Sequence, residues 1–320
     1  MTTTPLQPQS YKFIPPSKPR SQRAMLAGKV RSAVAAPPPT VTSMIITWVL
    51  ATLSVALLWF VFYATVLSSL QFAHHQHDAY ALFREELTTL SPRTAPLGGR
   101  ITPDAPVALI DSPALGLKNL VVIEGTASGD LTRGPGHKRS TPLPGQAGTS
   151  MIYGRSNLFS GVFGDVAKAQ PGDVIKVTTG QGPAVYRVED VRHKGDPFPI
   201  SLQDGQGRLT LVTAQGGRWS NGWTPTEPVY VDARLQTATF ATPPGRVSVV
   251  PRSEETMKGD FGALFSLVLW IPLLLMVFLA IAWAFERWGR WQTWLVGAPL
   301  VLAALWGVSE TAVQLLPNLM

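Results

Sequence analysis

The segment HHQHD at residues 74–78 contains side chains that can bind a metal ion. His74 and His77 are three residues apart and His74 and Asp78 four, so a helix would present them on one face. Imidazole and carboxylate groups are typical zinc ligands. No further ligand lies nearby in the sequence, and the alternative is a polar stretch that ends an apolar helix. We expect no metal site and no cofactor.

A second chemistry is nucleophilic attack. Ser156 and Ser220 lie in loop-forming sequence, and each hydroxyl would need a positioned base. His193 follows a strand pattern and is a candidate base, although a solvated histidine at a strand end is the alternative. The absence of cysteine from the whole sequence excludes a thiol nucleophile and disulfide bonds.

The segment LTLVTAQGG at residues 209–217 predicts a strand that ends in a glycine loop. Strand ends of this kind often carry a reactive residue, but Ala214 has no reactive group. Thr213 is adjacent, yet side chains alternate along a strand, so we expect it to point away from the side of Ala214.

Seven short, valine-rich apolar runs between residues 100 and 240 predict the strands that position these residues. Gly and Pro separate the runs, and helical patterns between them are scarce. The runs are APVALID, KNLVVIEGT, SMIYG, DVIKVTTG, AVYRVEDVRH, RLTLVTAQ and EPVYVDARL. Because a closed barrel leaves no exposed strand edge, we expect a mainly β domain that forms a closed or nearly closed β-barrel.

Three long apolar segments, residues 44–67, 261–285 and 293–315, predict transmembrane helices. The first contains 24 positions without a charge and the second 25. A hydrocarbon layer about 30 Å thick requires roughly 20 helical residues, so each segment can cross it. We therefore expect a multi-pass membrane protein with one N-terminal and two C-terminal spans.

The basic residues predict the orientation of these spans. Lys and Arg are the charged residues before the first span, and Arg287 and Arg290 lie in the link 286–292. Positively charged short segments stay in the cytoplasm, so we expect a cytoplasmic N-terminus and link and an extracellular barrel. The net charge of +7 is largely explained by this bias, and we expect no nucleic-acid partner.

The rest of the chain connects these parts. Residues 1–43 contain eight prolines and many polar residues, a composition that predicts a disordered, basic cytoplasmic tail. The remaining predicted segments are a juxtamembrane helix and linker at 68–99, the barrel at 100–240, a linker at 241–260 and an outer tail at 316–320.

The order of the motifs resembles the sortase family, especially the class E sortases of actinobacteria. The matching pieces are APVALIDSPALGL, VVIEGTASGDLTRGPGHKRSTPLPGQAGTSMIYGRS, GVFGDVAKAQPGDVIKV, YRVEDV and LTLVTAQGG. The resemblance implies an eight-stranded β-barrel whose active members join surface proteins to cell-wall or pilus amines. It also implies a cysteine nucleophile, a histidine that handles the amines, and an arginine that stabilises the oxyanion or the bound peptide.

At the positions that the resemblance assigns to these three residues, the sequence has Ala214, Arg155 and Pro228. Alanine cannot form an acyl intermediate. Arginine stays protonated near neutral pH and cannot exchange protons with an amine. Proline has neither a guanidinium nor a backbone N–H. The resemblance therefore implies a catalytically degenerate member, and we expect no catalytic residues.

We accordingly predict a non-catalytic sortase-like protein of the cell membrane. It binds or scaffolds envelope proteins through its groove and C-terminal helices, in surface-protein or pilus assembly, with a sorting-signal-like peptide as a further candidate ligand. The candidate groove residues are Tyr153, Ser156, His193, Arg218, Trp219 and Trp223. Two alternatives stay open: a transpeptidase or hydrolase with a relocated serine or threonine nucleophile, and a purely structural extracellular barrel.

Overall fold

The computed structural model describes residues 41–89, 101–216 and 225–320. The chain divides into two compact units, Met1–Val55 and Ala56–Met320. In the first unit, the described residues form the beginning of helix α1. The second unit contains the end of α1, the other helices and all of the described strands.

The described part of the chain contains four long helices. They are α1 (Val41–Phe62), which continues through a π-helical turn (Tyr63–Leu67) into α2 (Ser68–Thr89), then α3 (Ala263–Arg287) and α4 (Arg290–Gln314). Helices α3 and α4 have 25 residues each, or about 37 Å, which exceeds a hydrocarbon core of about 30 Å. The described residues contain three stretches long and apolar enough to cross a membrane, so the three predicted helices are confirmed.

Small residues allow α3 and α4 to pack closely. Gly297 and Gly307 are buried on α4, and a Cβ added at Gly307 would lie 2.6 Å from the ring of Trp270 on α3. Tyr63 packs edge-on against Trp306 of α4 with ring centroids 5.3 Å apart. Trp59 donates its indole N–H to Ser309 Oγ at 3.1 Å. These contacts join the π-helical turn and the C-terminal helix pair.

Eight strands form the closed barrel in the order β1-β2-β3-β4-β7-β8-β6-β5. The pairs β2–β3 and β4–β7 are parallel, and the other pairs are antiparallel. The strands are β1 (Pro106–Ser112), β2 (Leu117–Glu124), β3 (Gly136–His137), β4 (Gly148–Tyr153), β5 (Val174–Thr179), β6 (Gly182–Arg192), β7 (Gly207–Gly216) and β8 (Pro225–Leu235).

All seven predicted strands are present, and the closed barrel is confirmed. The sequence did not predict β3, because a strand of two residues has no measurable periodicity. It lies between β2 and β4 and continues the sheet between them. A Cβ at Gly136 would lie 2.0 Å from the Gly125 carbonyl oxygen, so this close approach requires glycine.

The alternation of β7 separates two apolar clusters. Leu209 and Leu211 belong to the main core of the barrel, whereas Val212 and Ala214 belong to a smaller cluster. Thr213 is fully buried and donates its Oγ1 to the Phe163 carbonyl at 3.1 Å, and Phe163 is a core residue. Thr213 and Ala214 therefore point to opposite sides of the strand, as predicted.

Helix α2 packs on the barrel. Gln76 donates its Nε2 to the carbonyls of Val121 and Arg133 at 3.1 and 3.0 Å, and its Oε1 accepts from the Val121 N–H at 2.9 Å. Phe72 and Phe83 on the same helix are buried.

The segment 241–260 is more than the predicted linker, because its second half packs against the barrel. Glu254 is only 3% exposed and is paired with Arg139. The Glu254 carbonyl also accepts a hydrogen bond from Thr126 Oγ1 at 2.9 Å. The sequence did not indicate this packing. Glu254 makes the segment polar by composition, and the arginine that pairs with it lies more than a hundred residues away in the chain.

Candidate functional site

Ala214 and Pro228 are directly opposite each other in the antiparallel pair β7–β8. Ala214 is 3% exposed and Pro228 is half-buried. The structure therefore brings together two of the three positions that the resemblance assigns to catalytic residues. Neither side chain can attack a carbonyl or donate a proton.

Arg155, at the third position, follows β4 and is 1% exposed. Its Nη2 donates to the carbonyl and to the Oγ of Ser128 at 2.8 and 2.9 Å, and its guanidinium lies 5.1 Å from the centroid of the Phe159 ring. Its Nε has no hydrogen-bond partner within the described part of the chain. Burial lowers the pKa of Arg155 to about 9, because the apolar surroundings disfavour the charged form.

Gly154 determines how the chain leaves β4 before Arg155. Its N–H donates to the Val212 carbonyl at 2.9 Å, so the β4–β7 pairing continues one residue beyond Tyr153. The Phe163 ring lies over Gly154, and an added Cβ would be 2.2 Å from a ring carbon. A side chain at this position would therefore displace either β4 or the core residue Phe163.

The groove beside Ala214 contains the last residues of the sequence. The Ser156 N–H and Oγ each donate to the Leu319 carbonyl at 3.1 Å. Arg155 Nη1 donates to the Met320 main-chain oxygen at 3.2 Å. Since these bonds use main-chain oxygens of residues 319 and 320, they hold the backbone of the segment without selecting its side chains.

The Leu319 side chain fills an apolar recess. It is fully buried in one cluster with Leu131, Tyr153, Val212 and Ala214. The recess is therefore lined by the end of β4 and by the outer side of β7. Burial of a leucine side chain stabilises this contact by about 1.5 to 3 kcal/mol.

Asn318 occupies a polar recess and is also fully buried. Its Nδ2 donates to the carbonyls of Thr126 and Glu255 at 2.8 and 3.0 Å, and its Oδ1 accepts from the Met257 N–H at 3.0 Å. Its own N–H donates to the Lys258 carbonyl at 3.0 Å. The side-chain amide thus satisfies two acceptors and one donor, which no carboxylate or apolar side chain could do.

A cavity of about 490 Å³ lies beside this groove, on the outer side of β4, β7 and β8. Its lining includes Tyr153, Pro228 and His193. The Tyr153 hydroxyl shares a hydrogen bond with Thr256 Oγ1 at 3.0 Å. Half of the His193 side chain is exposed, and its ring nitrogen lies 3.8 Å from Asp196. The cavity therefore has an aromatic wall and a solvated histidine at its rim.

Arg192, which the sequence analysis did not identify, also lines this cavity. Its guanidinium pairs with Asp232 and lies 5.2 Å from the centroid of the Tyr230 ring. Thr210 Oγ1 donates to the other oxygen of Asp232 at 2.6 Å. The positive charge of Arg192, on the strand beside β8, is thus compensated by Asp232 within the barrel wall.

Several predicted residues lie elsewhere. Arg218, Trp219, Ser220 and Trp223 lie outside the described residues. His74 Nε2 lies 3.4 Å from Asp78 on an exposed face of α2, and the described residues contain no cluster of three candidate metal ligands. A further histidine, His137 of β3, is fully buried, and its two ring nitrogens contact Glu124 Oε2 at 2.7 Å and the Pro142 carbonyl at 3.1 Å.

No signal in the sequence identified residues 318–320 as part of the site. The segment follows a predicted transmembrane helix, and its partners at Thr126, Arg155 and Met257 lie far away in the chain. Hydrophobic periodicity reports local structure and carries no information about such long-range contacts. The arrangement offers backbone and amide hydrogen bonds and an apolar recess, which is the chemistry of peptide binding.

A family model described as a sortase domain matches residues 110–235, from the middle of β1 to the last residue of β8. No curated protein matches the chain.

Among solved structures, the chain is similar to a sortase D5 transpeptidase of Clostridium perfringens, with 23% identity over 51% of this chain and 99% of that chain and a TM-score of 0.41. It is also similar to sortase E of Streptomyces avermitilis, with 23% identity over 48% and 99% of the two chains and a TM-score of 0.35. A third is a C. perfringens sortase C with the C-terminal cell wall sorting motif, with 19% identity over 51% and 89% of the two chains and a TM-score of 0.37. The family model therefore places a match to a sortase domain on residues 110–235, within a closed eight-stranded barrel, and the described residues also contain three helices of membrane-spanning length.

Proposed function

We propose that this chain is a non-catalytic, sortase-like membrane protein that binds partner proteins at the bacterial cell envelope. The observation that carries the proposal is the pairing of Ala214 with Pro228 beside a filled peptide-like groove. A site that retains binding contacts and has no nucleophile at the strand end can recognise a segment but cannot form an acyl intermediate with it.

The state of Ser156 argues against a relocated nucleophile. Its Oγ is buried and donates to the Leu319 carbonyl. A serine nucleophile instead donates its proton to a general base, which activates the oxygen. In the proposed function, Ser156 therefore holds the backbone of the bound segment by hydrogen bonds.

A peptide-transfer assay tests the absence of catalysis. The full chain in lipid nanodiscs is incubated with a fluorogenic sorting-motif peptide and an amine acceptor, and cleavage and transfer are followed over hours. We expect the rate of a protein-free control. Cleavage that Ser156→Ala or Ser220→Ala abolishes would establish the enzyme alternative and overturn the proposal.

The same assay applies to the triple variant Ala214→Cys, Arg155→His and Pro228→Arg. If these positions correspond to those of active sortases, the variant gains a thiol at the end of β7 and a labelled peptide becomes attached to it. Mass spectrometry detects the thioester, and Ala214→Cys alone is the matched control.

We further propose that the N-terminus is cytoplasmic and that the barrel and the end of α4 lie outside the cell. The lack of native cysteine allows a direct measurement. A membrane-impermeant maleimide added to intact cells should label Val249→Cys, since Val249 is 77% exposed, and should not label Ser21→Cys until the membrane is permeabilised. The reverse labelling pattern would contradict this orientation.

Affinity capture of the full-length protein from detergent-solubilised membranes tests the binding role. We expect envelope proteins to be recovered with the wild-type chain. The capture is repeated with Tyr230→Ala, which alters the cavity wall, and loss of a partner from that sample would place its contact at the barrel.

A further inference from the structure

Residues 318–320 occupy the groove beside Ala214 in the manner of a bound peptide. Their backbone oxygens accept from Arg155 and Ser156, and the Asn318 and Leu319 side chains enter separate recesses. We propose that this segment is a built-in ligand, and that a partner segment with an amide side chain followed by an apolar side chain binds the groove by displacing it.

The contacts specify the ligand at two positions. The first recess presents the carbonyls of Thr126 and Glu255 and the Met257 N–H, a pattern complementary to a primary amide. The second recess is apolar and accommodates a leucine side chain with no residual exposure. An asparagine followed by leucine or a residue of similar volume therefore fits both recesses.

The remaining contacts involve the ligand backbone. Ser156 supplies two donors, Arg155 one donor, and the Lys258 carbonyl accepts from the N–H of the residue in the amide recess. The Met320 N–H donates to the Pro317 carbonyl at 3.2 Å and closes a turn around Asn318 and Leu319. A segment that forms the same turn presents the same backbone groups, so a second chain can reproduce the contacts. Affinity then comes from the backbone and selectivity from the two recesses.

An empty groove would be unfavourable. Without residues 318–320, the buried Arg155 would retain only its bonds to Ser128, and the recess carbonyls would lose a donor. Buried polar groups without partners are costly. The built-in ligand and a partner segment use the same donors and the same two recesses, so the two occupants exclude each other.

The built-in ligand is also connected to the last membrane helix. Ser128 Oγ donates to the Leu316 carbonyl at 2.9 Å, and the Asp260 N–H donates to the Gln314 carbonyl at 2.8 Å. Gln314 is the final residue of α4. These two bonds hold the end of α4 against the barrel. Displacement of residues 318–320 removes the contacts next to them, so partner binding at the groove affects the α3–α4 pair.

This inference rests on the proposed binding function, and a first experiment separates the two. Single-cysteine variants of the otherwise cysteine-free chain are treated with a soluble maleimide in nanodiscs. Leu319→Cys, at a fully buried position, should react at least about tenfold more slowly than Ile200→Cys, whose position is 81% exposed. Equal rates would show that residues 318–320 do not occupy the groove, which would overturn this inference. The proposed binding of partner proteins elsewhere on the chain would still stand.

The second experiment measures entry of a ligand in trans. A fluorescent peptide with the sequence of residues 314–320 is titrated onto the wild-type chain and onto Asn318→Asp and Leu319→Ala, which weaken the built-in ligand and leave the barrel unchanged. Because a ligand binds only the fraction of molecules with an open groove, the apparent Kd should fall at least about tenfold in both variants.

Two controls make the result decisive. A peptide with aspartate in place of its asparagine should bind none of the proteins measurably, and protein-free nanodiscs correct for partition of the peptide into lipid. Equal affinity for wild type and variants, or binding of the aspartate peptide as tight as the parent, would overturn the proposal. Absence of binding to both folded variants would overturn it as well.

Discussion

Ser156 donates two hydrogen bonds to the main-chain oxygen of Leu319, one from its N–H and one from its Oγ, each at 3.1 Å. This double contact joins the loop that follows β4 to the end of the sequence, 163 positions away. It holds a backbone carbonyl beside the strand end where the sequence has Ala214 rather than a nucleophile. The contact therefore places a held backbone segment beside a side chain that has no reactive group.

Gly154→Ala should strongly destabilise the barrel. The new Cβ would lie 2.2 Å from the Phe163 ring, which is fully buried and cannot move without disturbing the core. Overpacking of this kind costs about 1 to 3 kcal/mol or more. Thermal unfolding of the full chain in nanodiscs measures the effect. The control is Gly129→Ala, where an added Cβ meets nothing closer than 3.6 Å, and a similar loss in both variants would contradict the steric explanation.

His137→Ala should destabilise the β2–β3–β4 region by roughly 2 to 5 kcal/mol. His137 and Glu124 are paired at 2.7 Å with side chains that are 0% and 4% exposed, so the substitution leaves a buried carboxyl group without its ring partner. His74→Ala removes a comparable pair with Asp78, but those side chains are 76% and 60% exposed, and we expect a change below about 0.5 kcal/mol. Urea unfolding curves of both variants provide the comparison.

Asp130 should make the stability of the barrel depend on pH in the acid range. Burial, together with the nearby Glu254 and Asp104, raises the pKa of Asp130 to about 6 from 3.8, against the lowering effects of the Ala127 N–H and Arg133. Between these pH values the folded protein keeps a proton that the unfolded chain releases, so this contribution to stability is largest below pH 3.8 and is lost as pH rises to about 6.

The variant Asp130→Asn isolates this contribution. Its amide oxygen can still accept from the Ala127 N–H, which Asp130 Oδ2 accepts at 3.0 Å, but it does not titrate. The difference in unfolding free energy between the variant and wild type should therefore move in favour of the variant as pH rises from 4 to 6.5. A difference that stays constant over this range would show that Asp130 does not retain its proton in the folded state.

Local pattern was sufficient to predict most of the fold. Alternation in LTLVTAQ predicted β7 and the opposite orientations of Thr213 and Ala214, and the uncharged run 261–285 predicted helix α3. These features depend on neighbours within a few residues, and their periods are visible in the sequence. The strand β3 was not predicted, because its two residues show no pattern of their own and are held by pairing with β2 and β4.

The candidate site was predicted only in part, because several of its contacts join residues that are far apart in the chain. The resemblance to sortases assigned Ala214 and Pro228 to one site, and the structure pairs them across β7 and β8. Arg155 was considered only as a replacement for the histidine of active sortases. In the structure its guanidinium donates hydrogen bonds to Ser128 and Met320. Those partners come from distant segments, and no local signal indicates that the chain will fill its own groove.

Gly307→Ala should weaken the packing of the two C-terminal helices. A Cβ at Gly307 would lie 2.6 Å from the rigid indole of Trp270, whereas a Cβ at Gly297 would lie 3.0 Å from the flexible end of Ile281. Close helix approach in membranes depends on such small residues, and a clash with a rigid ring costs about 1 to 3 kcal/mol. Gly307→Ala should therefore lower the midpoint of thermal unfolding in nanodiscs by several degrees and Gly297→Ala by much less. If the two variants unfold at the same temperature as wild type, α3 and α4 separate enough to accept the methyl group, and the close approach at Gly307 is not required for stability.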